Sequence, residues 1–252
     1  MQIEFPDRIV VVTGAAMGCG RSIAQTFAAL GAKVFATDIE PAGLKQTAQQ
    51  SAIVTRTLDL ADRAAAAAWI REIEQSTGRA VDILVNNAGG MLGQSFRPIE
   101  EVSDGAWDSI FAVNLDAAFA LCRAAAPGMK RARKGRIVNI GSGASFRPSR
   151  TRIQAYCTAK HAIVGFTRQL AMELGPHGIT VNSVAPGLML TDEDKRRTWE
   201  QCGTERQAGF LASIALGRLG DPQNIADAVV FFASDLAGFV TGQVLPVNGG
   251  SF

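Results

Sequence analysis

Short β-branched runs alternate with longer Ala-rich amphipathic segments along all 252 residues. Such strict alternation is the signature of repeated βαβ units around a parallel sheet. Strands are predicted near 8–13, 33–38, 52–57, 81–86, 136–141, 179–185 and 243–247, and helices near 18–30, 41–50, 61–77, 99–132, 154–175 and 222–233. The expected fold is α/β: a single doubly wound Rossmann-type domain over residues 1–252, with a seven-stranded parallel sheet and helices on both faces. No Pro/Ser-rich linker or internal repeat divides it. With 47% hydrophobic and 19% charged residues, the chain has the material for a full core. One stretch, about 188–217, breaks the alternation, and a connection of that length is expected to be a lid over a substrate.

Several function classes are set aside by composition. A net charge of +2 gives no argument for nucleic acid, and the basic run Lys130 to Lys134 falls at a helix end, where cations favour the dipole. The stretch Met1 to Asp7 lacks a basic start followed by an apolar segment, and no uninterrupted apolar run is long enough to cross a bilayer, so no membrane partner and a cytoplasmic location are expected. Cys19, Cys122, Cys157 and Cys202 have no paired spacing, and His161 and His177 complete no metal pattern with them. Neither a metal nor a disulfide framework is expected.

Directly after the first strand comes Thr13-Gly14-Ala15-Ala16-Met17-Gly18-Cys19-Gly20, where a helix begins. Glycines there let the backbone approach a pyrophosphate, and the helix N-terminus offers unpaired N–H groups to it. The second strand ends in Asp38, placed to accept hydrogen bonds from an adenosine ribose and to repel a 2′-phosphate. Met17 and Ile39 beside it are neutral and no neighbouring Arg fits a phosphate, so NAD is expected over NADP. Asp38 could equally cap the helix that follows. Further on, the only tyrosine, Tyr156, precedes Lys160 by four residues within a predicted helix. Residues so spaced share a face, which makes this pair a candidate proton donor and acceptor.

With Asn86-Asn87-Ala88-Gly89 after strand four, Asn114 in the long fourth helix and Pro186-Gly187-x-x-x-Thr191 after strand six, these motifs make the chain resemble the short-chain dehydrogenase/reductase family, in its branch of about 250 residues, over nearly its whole length. The resemblance implies that Asp59 and Leu60 lie against adenine, that Asn86, Ala88 and Gly89 line the ribose and steady the sheet, and that Pro186, Gly187 and Thr191 border the nicotinamide. It implies Ser142 as the residue holding the reacting oxygen, with Ser145 in reserve. The usual gap from serine to tyrosine is one residue shorter, so an insertion in 143–155 is expected. It further implies Tyr156 as general acid/base, Lys160 lowering the phenol's pKa and binding the nicotinamide ribose, and Asn114 anchoring a proton-relay water. A homotetramer is implied, with a homodimer as the alternative; the Ala117, Ala118, Ala124, Ala125 face is either a helix contact or core.

The expected activity is NAD-dependent hydride transfer between the nicotinamide and a secondary alcohol or ketone. A sugar, polyol or other small hydroxylated metabolite is the first substrate class. Arg147, Arg150, Arg152 and Lys195 to Arg197 would favour it if they face the cleft. An apolar cyclic or aromatic alcohol is the second, drawing on Met91, Leu92, Phe96, Phe146, Leu188, Met189 and Trp199. A non-catalytic NAD-binding sensor or scaffold is the reading of another class, but such a module needs no proton donor.

Overall fold

The computed structural model describes residues 3–49, 52–93, 96–149 and 151–251. Seven strands, β1 (Ile9–Thr13), β2 (Lys33–Asp38), β3 (Ile53–Thr57), β4 (Ile83–Asn86), β5 (Gly135–Ile140), β6 (Ile179–Pro186) and β7 (Val244–Val247), form one sheet in the order β3-β2-β1-β4-β5-β6-β7. Every pairing is parallel. β1, β4 and β5 are buried along their whole length, as strands covered on both faces must be. Alternate residues therefore feed two cores. Val10, Val12, Val34, Val85 and Val138 face α1 (Gly18–Ala29) and α9 (Pro222–Ala233), while Val11, Phe35, Leu84, Ile137 and Val181 face α3 (Arg63–Thr77), α5 (Ala117–Ala132) and α6 (Gln154–Leu174). Strand order reverses between β1 and β4, which opens a crevice at the carboxyl ends of the strands. The remaining helix on this half, α2 (Pro41–Ala48), follows β2.

Two predicted elements differ in detail. The helix expected over 99–132 is a 3₁₀ turn, Ile99–Glu101, then α4 (Asp104–Phe111), a π-helical segment Ala112–Asp116 and α5. Ser103 caps α4 by accepting from the Ala106 N–H at 3.3 Å. The π segment widens the helix around buried Asn114, a common device at functional sites. Asp104–Ala132 is long and apolar enough by composition to cross a membrane, at a mean hydropathy of 1.4. Its apolar residues Ala117, Leu121, Ala125 and Met129 instead belong to the second core, with Ala124 packed against it half-buried. The 188–217 excursion holds two short helices, α7 (Glu193–Gln201) and α8 (Thr204–Ala212), with no buried residue in either. It is pinned at its ends by buried Met189 and Ile214, and Trp199 meets Phe210 edge-on at 5.6 Å.

Phe27 anchors the α1 side of the sheet, fully buried and edge-on to Phe5 at 4.9 Å. Phe27→Ala should lower the unfolding free energy by about 3–5 kcal/mol in urea titrations. A loss under about 1 kcal/mol would show that this face does not carry the fold.

Candidate active site

The turn between β1 and α1 has no room for side chains at its glycines. A Cβ on Gly14 would lie 2.8 Å from the Ala88 Cα, and one on Gly20 only 2.0 Å from the Gly14 carbonyl oxygen. Gly14 and Gly18 also take φ of 65° and 52°, a region glycine enters without strain. α1 starts with no side-chain cap at Met17, so its first N–H groups face outward. A cradle of bare backbone at an uncapped helix start fits a dinucleotide pyrophosphate. The cradle is held from β4. Asn87 Nδ2 donates to the Thr13 and Gly14 carbonyls at 2.9 and 3.0 Å, and Thr13 Oγ1 accepts from the Asn87 and Ala88 N–H groups.

At the end of β2, Asp38 accepts from the Ala16 N–H with Oδ2 at 2.9 Å and from the Glu40 N–H with Oδ1 at 3.2 Å. The carboxylate is thus fastened beside the turn, flanked by exposed Met17 and Ile39. Arg21 lies behind the turn with its guanidinium engaged by Thr47 Oγ1, Gln46 Oε1 and the Ala16 and Gly43 carbonyls.

One turn of α6 brings Tyr156 and Lys160 to the same cleft. Lys160 is 4% exposed, and its Nζ donates to the Ile140 carbonyl at 2.9 Å. Burial pushes its pKa down to about 8. The Tyr156 phenol is raised above its ordinary value, chiefly by burial, with a hydrogen bond from Ser142 pulling the other way. Lys160 is not among the causes of that shift: burial has lowered its own pKa to about 8, so the amine is uncharged where the raised phenol ionises.

The longer gap before Tyr156 begins with a 3₁₀ turn, Gly143–Ser145. Ser142 faces the cleft, and its Oγ accepts from the Ala144 N–H at 3.1 Å. Ser145 is buried, with its Oγ accepting from the Ser142 N–H at 3.1 Å, so it braces the turn and lies outside the cleft lining. Asn114 grips the loop after β4, donating to the Gly90 carbonyl at 2.9 Å and accepting from the Gly90 N–H at 3.0 Å. It also donates to the Ile110 carbonyl four residues back. A Cβ on Gly89 would lie 2.6 Å from Asn114 Oδ1 and 3.4 Å from Lys160 Nζ, so glycine there lets both approach.

The cleft, about 370 Å³, is lined by Gly14, Met17, Gly18, Cys19, Gly20, Gly89, Ser142, Tyr156, Lys160, Pro186, Gly187 and Thr191, all expected from the sequence. Asp38, Ile39, Asp59, Leu60, Asn86, Ala88 and Asn114 lie outside that lining. Leu60 is buried in the second core, and the Asn86 side chain points into the sheet, where Nδ2 donates to Asn139 Oδ1 at 2.8 Å. Asn86 steadies the sheet without offering its side chain to the cleft. Asp59 Oδ1 accepts from the Ala61 N–H, closing a turn, and the Ala88 backbone packs on Gly14.

Asn87, Gly90 and Asp192, which sequence does not single out for the site, also line the cleft. For Asn87 a signal existed, because strand alternation turns the residue after an inward Asn86 the other way. Of the basic residues considered for substrate contact, Lys195 alone among the described residues lines the cleft. Arg147 donates to Ser251 Oγ, Arg197 pairs with Asp194, Arg152 is exposed, and Arg150 lies outside the described residues. Of the apolar set, Leu188 and Met189 line it, while Met91 and Leu92 border a separate hollow over α4.

A parallel α/β sheet with this switch point, a bare glycine cradle and a Ser, Tyr and Lys facing it define an oxidoreductase that acts on CH–OH or keto groups. Residues 14–251 match the family model described as enoyl-(acyl carrier protein) reductase. Curated relatives include the 3-oxoacyl-[acyl-carrier-protein] reductase FabG of Escherichia coli, 38% identical over 252 residues and 99% of each chain. Another is subunit BbsD of (2S)-[(R)-hydroxy(phenyl)methyl]succinyl-CoA dehydrogenase from Thauera aromatica, 38% identical over 97% of this chain and 96% of that one. Among solved structures, a candidate NAD(P)-dependent gluconate 5-dehydrogenase from Beutenbergia cavernae, with NADP bound at low occupancy, is 40% identical with a TM-score of 0.89, over 99% of this chain and 98% of that one. The chain belongs to the short-chain dehydrogenase/reductase family.

Burial of Lys160 has a measurable consequence. Its folded pKa of about 8 lies below the ordinary 10.5, so the unfolded chain holds the extra proton between those values. Its stability contribution is therefore present above about 10.5 and lost as pH falls through about 8. At pH 7 the buried ammonium opposes folding, and Lys160→Met should stabilise the unliganded protein by about 1–3 kcal/mol. The gain should shrink as pH rises from 8 towards 10.5 in denaturant titrations. A variant less stable than the parent at pH 7 would contradict this.

Proposed function

We propose that the chain is an NAD-dependent oxidoreductase interconverting a secondary alcohol and its ketone. The observation that carries this is one cleft lined together by the glycine cradle, Ser142, Tyr156 and Lys160. When bound, the nicotinamide supplies or receives the hydride. Tyr156 exchanges the proton: its buried phenol, held protonated at neutral pH, gives it to a ketone oxygen or takes it from a hydroxyl. Ser142 holds the same oxygen, a contact that strengthens as charge develops. Lys160, charged below about pH 8, binds the ribose beside Gly89, and Asn114 fixes the loop that borders it.

The preference for NAD rests on Asp38, whose carboxylate repels a 2′-phosphate, on neutral Met17 and Ile39, and on an Arg21 engaged with α2. The NADP in the Beutenbergia relative belongs to that protein's site. A sugar, polyol or small hydroxylated metabolite remains the first substrate class, supported by the gluconate relative and by Lys195 on the cleft. A 3-oxoacyl thioester is the second, favoured by the 38% identical reductase and by Leu188 and Met189 on the wall. The 188–217 excursion serves as the lid of this single domain. Assembly as a homotetramer suits the exposed apolar side chains Met172, Phe239 and Leu245.

Tyr156→Phe should retain NADH binding, measured by nucleotide fluorescence, while turnover falls by about 100-fold or more. Retention of half the turnover would end the assignment. Asp38→Asn keeps the size of the side chain and removes its charge. The ratio of kcat/KM for NAD over NADP should fall by about tenfold, and an unchanged ratio would remove Asp38 from the selection.

A further inference from the structure

Lys195 stands four residues after Thr191, in the first turn of α7. Its Nζ donates to Thr191 Oγ1 at 2.7 Å and to Asp192 Oδ2 at 2.6 Å. This group sits on the phosphate cradle itself, because a Cβ placed on Gly18 would lie 2.8 Å from the Thr191 Cβ. The Lys195 charge is also felt at Cys19 in the first turn of α1, where it opposes the burial that pushes the thiol up to about 11.

Charge in the cleft is sparse. Among the described residues lining it, only Lys160, Asp192 and Lys195 are ionic at neutral pH. Lys160 is spent on the Ile140 carbonyl and the ribose side. The helix start supplies about half a positive charge, too little to balance the two negative charges of a pyrophosphate. Asp192 accepts from the Lys195 N–H at 2.8 Å, capping α7, and from its Nζ as well. Its second oxygen thus occupies the place on the ammonium that a phosphate oxygen would take.

We propose that Lys195 is the cation that meets the pyrophosphate of the dinucleotide, and that Asp192 holds it until the dinucleotide arrives. The inference rests on the NAD reading and adds to it a positioning residue carried by the lid. It gives the excursion a reason to close: the ammonium exchanges an internal carboxylate for the ligand's phosphates, coupling α7 to the cradle. Asp192 is then a competitor, and removing its charge helps binding. A lid residue with a purely structural role would have no such sign.

Equilibrium titration of the full chain with NADH, followed by nucleotide fluorescence at low and high salt, tests this. Lys195→Gln should raise Kd about fivefold and flatten its salt dependence. Asp192→Asn, which still caps α7, should lower Kd about threefold. Adenosine, which has no phosphate, should bind all three proteins alike in competition. An unchanged Kd in Lys195→Gln, or weakening by both substitutions of NADH and adenosine together, would overturn the proposal and leave the function standing. If the unaltered chain bound no NADH, the function reading would fall and this one with it.

Discussion

An ammonium group enclosed in protein with one backbone carbonyl for a partner is the contact around which this site is arranged. Among the described residues no carboxylate pairs with Lys160, and its enclosure lowers its pKa to about 8. The surrounding structure is fitted to that enclosure. Gly89 leaves space for Nζ, Asn114 clamps the Gly90 backbone from the other side, and the π-helical segment sets Asn114 where it can reach both. A site that opposes stability in the unliganded protein is a site kept for a ligand.

The two walls of the cleft are built by different means. On the β1 side, the wall is backbone: the absence of side chains at Gly14, Gly18 and Gly20, with Asn87 and Thr13 tying β4 to the turn. On the α6 side, it is side chains delivered by helical spacing and by the end of β5. The sheet joins them through Asn86, Asn139 and Thr167, a buried chain of amide and hydroxyl bonds running from β4 through β5 to α6. Its members never touch the cleft, yet they fix the distance between its walls. Above both lies the 188–217 excursion, which contributes Thr191, Asp192 and Lys195 and buries nothing within its helices. Few apolar contacts hold it, as is usual for elements that move.

The fold was almost wholly legible in the chain, because alternation of strand and helix patterns leaves one architecture. Local spacing also carried Tyr156, Lys160 and the glycine turn. What escaped depended on partners distant in sequence. The break between α4 and α5 has no Gly or Pro to announce it and comes with Asn114 bonding Gly90, 24 residues away. The Leu60 side chain joins Trp69 and Ile70 in the second core, a placement that depends on how α3 returns to the sheet. Ser142 held its place despite the longer gap because the extra length is taken up in the loop beyond it, beginning with the Gly143–Ser145 turn. Burial raises the phenol's pKa and lowers that of Lys160, and residue spacing alone shows neither.

Tyr156 is the only tyrosine, so tyrosinate absorbance followed against pH reports one phenol without any label. In the free protein, ionisation is expected only above the ordinary value near 10, and at still higher pH in Ser142→Ala, which removes the hydrogen bond that favours the phenolate. A phenol that ionises at its ordinary value and is indifferent to Ser142→Ala would contradict the convergence of these groups in one buried cleft.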